Sequence, residues 1–298
     1  MVDPGKFMSQ KAVITRILGG LGNQMFQYAC GKALAKRTNA KLLLDLSGFM
    51  GYRQHKYGLC GFQINEPTPP FNLRMGGAPY SILSRMGVPV NKLLSLQGFK
   101  YVEENQDLSF KSQILSLDCS VYLDGYWQSE GYFADIADEI RSIFLLSSDS
   151  KDIILPIKAG VPNASLHIRR GDYAHNAEAS VVHGVLSLDY YQNAIALLEK
   201  IIGKRFQVFI FSDDIEWAKR NLLLEQDMFF LSASTNTPQN EIRAMAKCDH
   251  HIIANSTFSW WGAWLNPAPG KSVIAPKQWF MTTKYLSEQI YPPGWICI

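Results

Sequence analysis

The feature that most constrains the fold of this chain is a regular alternation of short apolar runs and helical segments in its C-terminal half. The runs Ser165–Ile168, Phe206–Phe211, Met228–Ser232, His251–Ala254 and Ser272–Ala275 alternate with segments of helical periodicity at 188–202, 214–224, 238–247 and 257–266. Near-continuous apolar strands suit a sheet covered on both faces, and a helix between successive strands supplies the crossover that a parallel neighbour requires. The pattern therefore predicts an α/β fold with a doubly wound parallel sheet. In such sheets ligands bind beyond the carboxyl ends of the strands.

The N-terminal half opens as a βαβ unit. Ala12–Ile17 reads as a strand, Gly19-Gly20-Leu21-Gly22 as a turn, and the next segment as a helix carrying Met25, Phe26, Ala29, Ala33 and Leu34 that ends near Thr38-Asn39. The strand Lys41–Asp45 follows. Glycines at such a turn, Gly22 among them, let the backbone approach a ligand, and Asn23 and Gln24 add amide donors at the helix start. Gly20-x-Gly22 with Asp45 partly imitates a dinucleotide fingerprint, but Met25 stands where the third glycine belongs. The Gly-, Pro- and aromatic-rich stretch 46–90 predicts long surface loops. Ser120–Gln128 reads as a strand ending in Trp127 and Gln128. A ring face beside an amide suits a sugar, and a core tryptophan fits the sequence equally well. A helix is expected over Glu130–Ile143, with Tyr132, Phe133, Ile136, Ile140 and Ile143 on its apolar stripe. The segment 147–158 reads as a linker between domains 1–150 and 151–298.

Composition narrows the function classes. With 298 residues, 47% hydrophobic and 18% charged, the chain can bury two cores. A net charge of +3 without a Lys/Arg run argues against nucleic acid and for a local anion site. The five cysteines, at 30, 60, 119, 248 and 297, are odd in number and scattered, which reads as reduced thiols in a cytoplasmic protein. Met1–Gln10 lacks the apolar core of a signal peptide, Met8 is a plausible natural start with Met1–Phe7 an extension, and no apolar stretch approaches ~18 residues, so no transmembrane segment is expected.

Three polar clusters fall at expected strand ends. In His167-Ile168-Arg169-Arg170-Gly171-Asp172-Tyr173, two adjacent guanidinium forks suit the oxygens of a diphosphate. Asp213 in Ser212-Asp213-Asp214 can accept hydrogen bonds from a base or ribose, or cap the following helix. In Asn255-Ser256-Thr257-Phe258-Ser259-Trp260-Trp261, hydroxyls and backbone donors at a helix start offer a phosphate site, walled by aromatic rings. His250 and His251 point to opposite faces of a strand and make no metal site.

Together, Gly19-Gly20-Leu21-Gly22-Asn23-Gln24-Met25-Phe26-Gln27-Tyr28-Ala29, the segment His167 to Tyr173, Phe211-Ser212-Asp213-Asp214, and Asn255 to Gly262 resemble, in their order, the α-1,2-fucosyltransferase family. The H-x-R-R-G-D-Y segment is shared more loosely with α-1,6- and protein O-fucosyltransferases, whereas N-Q-M-F-Q-Y and S-T-F-S-W-W narrow the choice. The resemblance implies a GT-B-like α/β architecture of two Rossmann-like domains facing across a cleft. Residues 1–150 would take the acceptor and 151–298 would bind GDP-L-fucose, the last helix packing back on the first domain. It implies inverting transfer of L-fucose to the 2-hydroxyl of a β-galactoside by a cytoplasmic enzyme of surface polysaccharide or lipopolysaccharide synthesis, with no nucleic acid partner and at most peripheral membrane contact. GDP-fucose would be a co-substrate, with no cofactor. Since no D-x-D occurs in the chain, arginines and helix N-termini replace a metal.

Carried over residue by residue, the resemblance makes Arg169 the holder of the β-phosphate and stabiliser of departing GDP, with His167 and Arg170 in support and Asp172 orienting an arginine. Asp213 would contact the guanosine, and Asn255, Ser256, Thr257 and Phe258 the pyrophosphate. Gly22 and Asn23 would reach the donor from the other domain, while Trp127 and Gln128 take the acceptor. Asp172, Asp45 and Asp124 are all candidates for the general base. A transferase of another GDP-sugar and a non-catalytic sugar- or nucleotide-binding module are the alternatives.

Overall fold

The computed structural model describes residues 10–52, 54–75, 87–146, 152–171, 173, 177–232, 236–286 and 288–298. Met1–Phe7 and Asp172 lie outside them. The chain divides into two compact units at Ile143/Phe144.

The first unit is built from β1 (Ala12–Arg16), α1 (Leu21–Arg37), β2 (Lys41–Asp45), α2 (Val90–Leu96), β3 (Lys100–Glu103) and β4 (Val121–Asp124), and α3 (Ala137–Leu145) runs across the boundary. Its sheet is parallel, in the order β2-β1-β4-β3. Met25 is wholly buried in α1, and the close helix–sheet approach that a third glycine would serve occurs further along, at Gly31. A Cβ there would meet Thr15 Oγ1 of β1, so only glycine lets α1 lie this near the strand. The expected helix Glu130–Ile143 is broken. Ser129 caps a 3₁₀ turn over Glu130–Tyr132, Phe133 leaves the helical region at φ −139°, and a second turn at Ala134–Ile136 leads into α3. Tyr132, Phe133, Ile136 and Ile140 are nonetheless buried, because the apolar stripe rather than unbroken hydrogen bonding fixes which side faces the core.

The second unit contains β5 (Asn163–Ile168), α4 (Ala177–Val182), α5 (Leu188–Ile202), β6 (Gln207–Ser212), α6 (Ile215–Asn221), β7 (Asp227–Ser232), α7 (Pro238–Ala246), β8 (His250–Ile252), α8 (Thr257–Leu265), β9 (Val273–Ala275) and β10 (Ile296–Cys297). The sheet is parallel, in the order β10-β9-β8-β5-β6-β7. Side chains set the helix starts: Ser187 caps α5, Asp214 caps α6, Thr237 caps α7 ahead of Pro238, and Ser256 caps α8. Trp260, Trp261 and Trp264 bury the length of α8, and Gly262 lets it press against Met245 of α7. The chain closes as β10, paired with β9 in the second sheet.

Among the described residues no helix is long and apolar enough to cross a membrane. All five cysteines are free thiols. Each sheet has one point where successive connections diverge, between β1 and β4 in the first unit and between β5 and β8 in the second. Parallel α/β sheets hold their ligands at such points.

Candidate active site

The second unit gathers two of the predicted clusters at its switch point and draws in the third from the neighbouring strand. In parallel register Ile168 lies opposite Ser212, so Arg169 emerges beside Asp213, while the segment after β8 emerges on the other side of β5. Tyr173 Oη donates to the carbonyl of Asn255 at 3.3 Å, and the rings of His167 and Phe258 lie 5.6 Å apart. Arg169 and the N-terminus of α8 therefore border one patch of surface.

Asp213 organises this patch. It accepts an ion pair from Arg169 Nη1 at 3.0 Å and a hydrogen bond from the Arg170 amide at 2.9 Å. A Cβ on Gly171 would lie 2.5 Å from its Oδ2, so the glycine is what admits the carboxylate to the arginine loop. Arg169 also sits 5.4 Å from the centre of the Tyr173 ring, which stacks on His183 at 4.7 Å and 4°. Asp213 thus orients Arg169, and the capping of α6, which the sequence allowed to Asp213, is done by Asp214.

Other predicted donor residues are placed differently. The Arg170 guanidinium lies 3.8 Å above the Trp217 ring and pairs with Asp214 at 3.4 Å, which fastens the loop to α6. Asn255 is buried and donates through Nδ2 to the carbonyls of His183 (2.7 Å) and Trp279 (3.4 Å), which ties these loops together. The Ser256 hydroxyl accepts from the Phe258 amide, as a helix cap does. Thr257 and Phe258 are half-buried at the open end of α8. His167 is buried, and burial together with the nearby Arg169 charge pushes it down to about 3, so its ring is neutral at physiological pH.

Sequence reasoning missed Glu241. It sits in the first turn of α7, is only 8% exposed, and lies near enough to Asp213 for the carboxylates to repel. Burial first, and Asp213 second, push it up to about 7.

In the first unit, the Asn23 side-chain oxygen accepts from Gln128 Nε2 at 3.0 Å, joining the glycine turn to the segment after β4. Gly22 is buried within the first turn of α1. Trp127 is corrected as an acceptor platform, because its ring is wholly buried edge-on against Tyr132, with centroids 5.6 Å apart. The cause is local. Glu104 accepts the amides of Tyr126 (2.6 Å) and Trp127 (2.7 Å), and Trp127 takes φ +57°, which turns its ring inward. Tyr126 is the half-buried ring, and a Cβ on Gly19 would lie 3.4 Å from it. Asp45 is corrected as a base candidate. It is fully buried and accepts from Tyr122 Oη (2.5 Å) and the amides of Ser47 (2.9 Å) and Met75 (2.8 Å), so it ties loops to the sheet.

Residues 94–298 match the family described as Glycosyl transferase family 11. Over 296 residues the chain is 35% identical to an alpha-1,2-colitosyltransferase of Escherichia coli, a match covering 96% of this chain and 98% of that protein. Over 286 residues it is 32% identical to the O-antigen biosynthesis glycosyltransferase WbnK of Escherichia coli, covering 88% and 93% respectively. Among solved structures, a variant of Arabidopsis thaliana FUT1 in complex with GDP is similar with a TM-score of 0.53 and 13% identity, covering 95% of this chain and 76% of that one. At that identity the likeness concerns the fold, which is of the GT-B type.

Proposed function

The chain belongs to glycosyltransferase family 11, and we propose that it transfers L-fucose from GDP-β-L-fucose to the 2-hydroxyl of a terminal β-galactoside, with inversion and without a metal ion. The observation that carries this reading is the Arg169 fork, fixed by Asp213 beside the N-terminus of α8 at the switch point of the second sheet. As the acceptor oxygen bonds to C1 of fucose, the bond from C1 to GDP breaks and negative charge grows on the β-phosphate. A preplaced guanidinium and the amides at the start of α8 stabilise that charge more in the transition state than in the ground state. The E. coli relatives support an acceptor belonging to a surface polysaccharide.

The 35% identity to a colitosyltransferase favours one second reading, transfer of colitose, which is fucose without its 3-hydroxyl. Purified protein is to be incubated with lactose and EDTA, in turn with GDP-fucose, GDP-colitose and GDP-mannose. The expected result is a fucosylated trisaccharide and GDP, undiminished by EDTA. Product from GDP-colitose alone would establish the second reading, and an intact donor in every tube would reject both.

Glu241 belongs to this reading as the group that reads guanine. An ionised carboxylate accepts from both N1–H and the 2-amino group of the base, and the Glu241 carboxyl beside Asp213 suits that pair of donors. Because Glu241 titrates at about 7, it is largely protonated at pH 6 and ionised at pH 8. The preference for GDP over IDP, which lacks the 2-amino group, is therefore expected to rise across that interval, with the phosphate ionisation common to both ligands cancelling. Glu241→Gln should weaken GDP binding at pH 8 by about tenfold or more and flatten the preference in calorimetric titrations. An unchanged GDP/IDP ratio in the variant would remove Glu241 from the base site.

A further inference from the structure

The first unit contains a pocket of about 190 Å³ at its own switch point, lined by Arg16, Leu18, Gln27, Asp124, Gly125 and Tyr126. Arg16 ends β1 and Asp124 ends β4, on neighbouring parallel strands. Gln27 holds the rim: its carbonyl oxygen accepts from the Leu18 amide at 2.9 Å, and its Nε2 donates to the Gly125 carbonyl at 3.1 Å. The pocket is thus preformed, and it falls below the about 300–1,000 Å³ of sites for drug-sized ligands.

Its polar wall is incompletely used. Asp124 accepts from Arg16 Nη1 at 3.0 and 3.1 Å and from Tyr101 Oη at 2.9 Å, which leaves acceptor capacity on Oδ1. Arg16 commits only Nη1 to that pair, and its side chain is 31% exposed. A carboxylate and a guanidinium side by side, each with spare capacity, match vicinal hydroxyls, which both donate and accept. The half-buried Tyr126 ring adds an apolar face of the kind that covers a pyranose.

We infer that this pocket is the subsite for one hexose ring of the acceptor, with Asp124 and Arg16 holding adjacent hydroxyls and Tyr126 stacking on the ring. The inference rests on the proposed glycosyl transfer only in assigning the sugar to the acceptor, and its test separates the two. Saturation-transfer NMR of the full chain with methyl β-galactoside, without donor, is expected to show binding that Asp124→Asn and Tyr126→Ala each weaken at least tenfold. Tyr126→Phe, which keeps the ring, should bind as the parent does. GDP affinity and melting temperature report on folding in each variant, and Tyr126 lies outside the ion pair, so the test survives a destabilised Asp124→Asn. In the transfer assay the KM for lactose should rise with that for GDP-fucose unchanged. Folded variants that bind the galactoside like the parent overturn the inference. Pocket-dependent galactoside binding without transfer from any donor supports it and overturns the proposed reaction instead.

Discussion

Arg169→Ala is expected to lower kcat for fucosyl transfer by about 10²- to 10³-fold, close to 3 kcal/mol, the loss found when one preorganised donor to a developing oxyanion is removed. The effect should fall on kcat more than on the acceptor KM, because the guanidinium meets the β-phosphate charge that grows as the bond to C1 breaks. Folding should survive, since Arg169 is a quarter exposed and fills no core position. Removing it also leaves Asp213 facing Glu241 without its counter-ion, so Glu241 should hold its proton to higher pH and the pH at which GDP is preferred over IDP should move upward. Arg169→Lys keeps the charge and loses the planar fork, and should recover only part of the rate. Initial rates at saturating GDP-fucose, with melting temperatures for each variant, test this. A folded Arg169→Ala enzyme within threefold of the parent rate would end the central role given to this residue.

What the sequence made legible followed periodicity and strand ends. Apolar runs between helical segments located every strand from β5 to β9, and the polar residues after β5, β6 and β8 proved to be neighbours because a parallel sheet brings its carboxyl ends together. Short or half-exposed elements carried too little pattern. β3, Lys100–Glu103, has one buried side chain, and β10 is two residues long. The divided roles within the arginine loop were likewise hidden. Composition cannot tell that Arg170 lies on Trp217 while Arg169 does not, since Trp217 arrives with a helix dozens of residues later. Trp127 turns inward because alternation assumes an extended backbone, and the left-handed turn held by Glu104 breaks it. Glu241 lacked a signal because the buried stretch of α7 also includes Asn240 and Arg243, charged and polar residues that periodicity assigns to solvent.

The division of labour within the arginine loop sets the second large expectation. Asp213→Ala should reduce transfer by about ten- to a hundredfold, although the carboxylate is repelled by the diphosphate it helps to bind. Two effects oppose each other. Removing the carboxylate frees Arg169 of a neutralising partner, which favours phosphate binding. It also removes the hydrogen bond that fixes the Arg170 amide and the contact that holds Arg169 Nη1 at 3.0 Å. Orientation should prevail, because a misplaced fork forfeits stabilisation available only to a preorganised donor, whereas the Asp213 pairing is partly screened at its exposure. GDP binding should therefore change little or tighten slightly while kcat falls. A double-mutant cycle decides the matter: if Asp213 acts through Arg169, Asp213→Ala should cost almost nothing in an Arg169→Ala background. Equal losses in both backgrounds would mean that Asp213 works independently of Arg169, as a direct contact to the nucleotide.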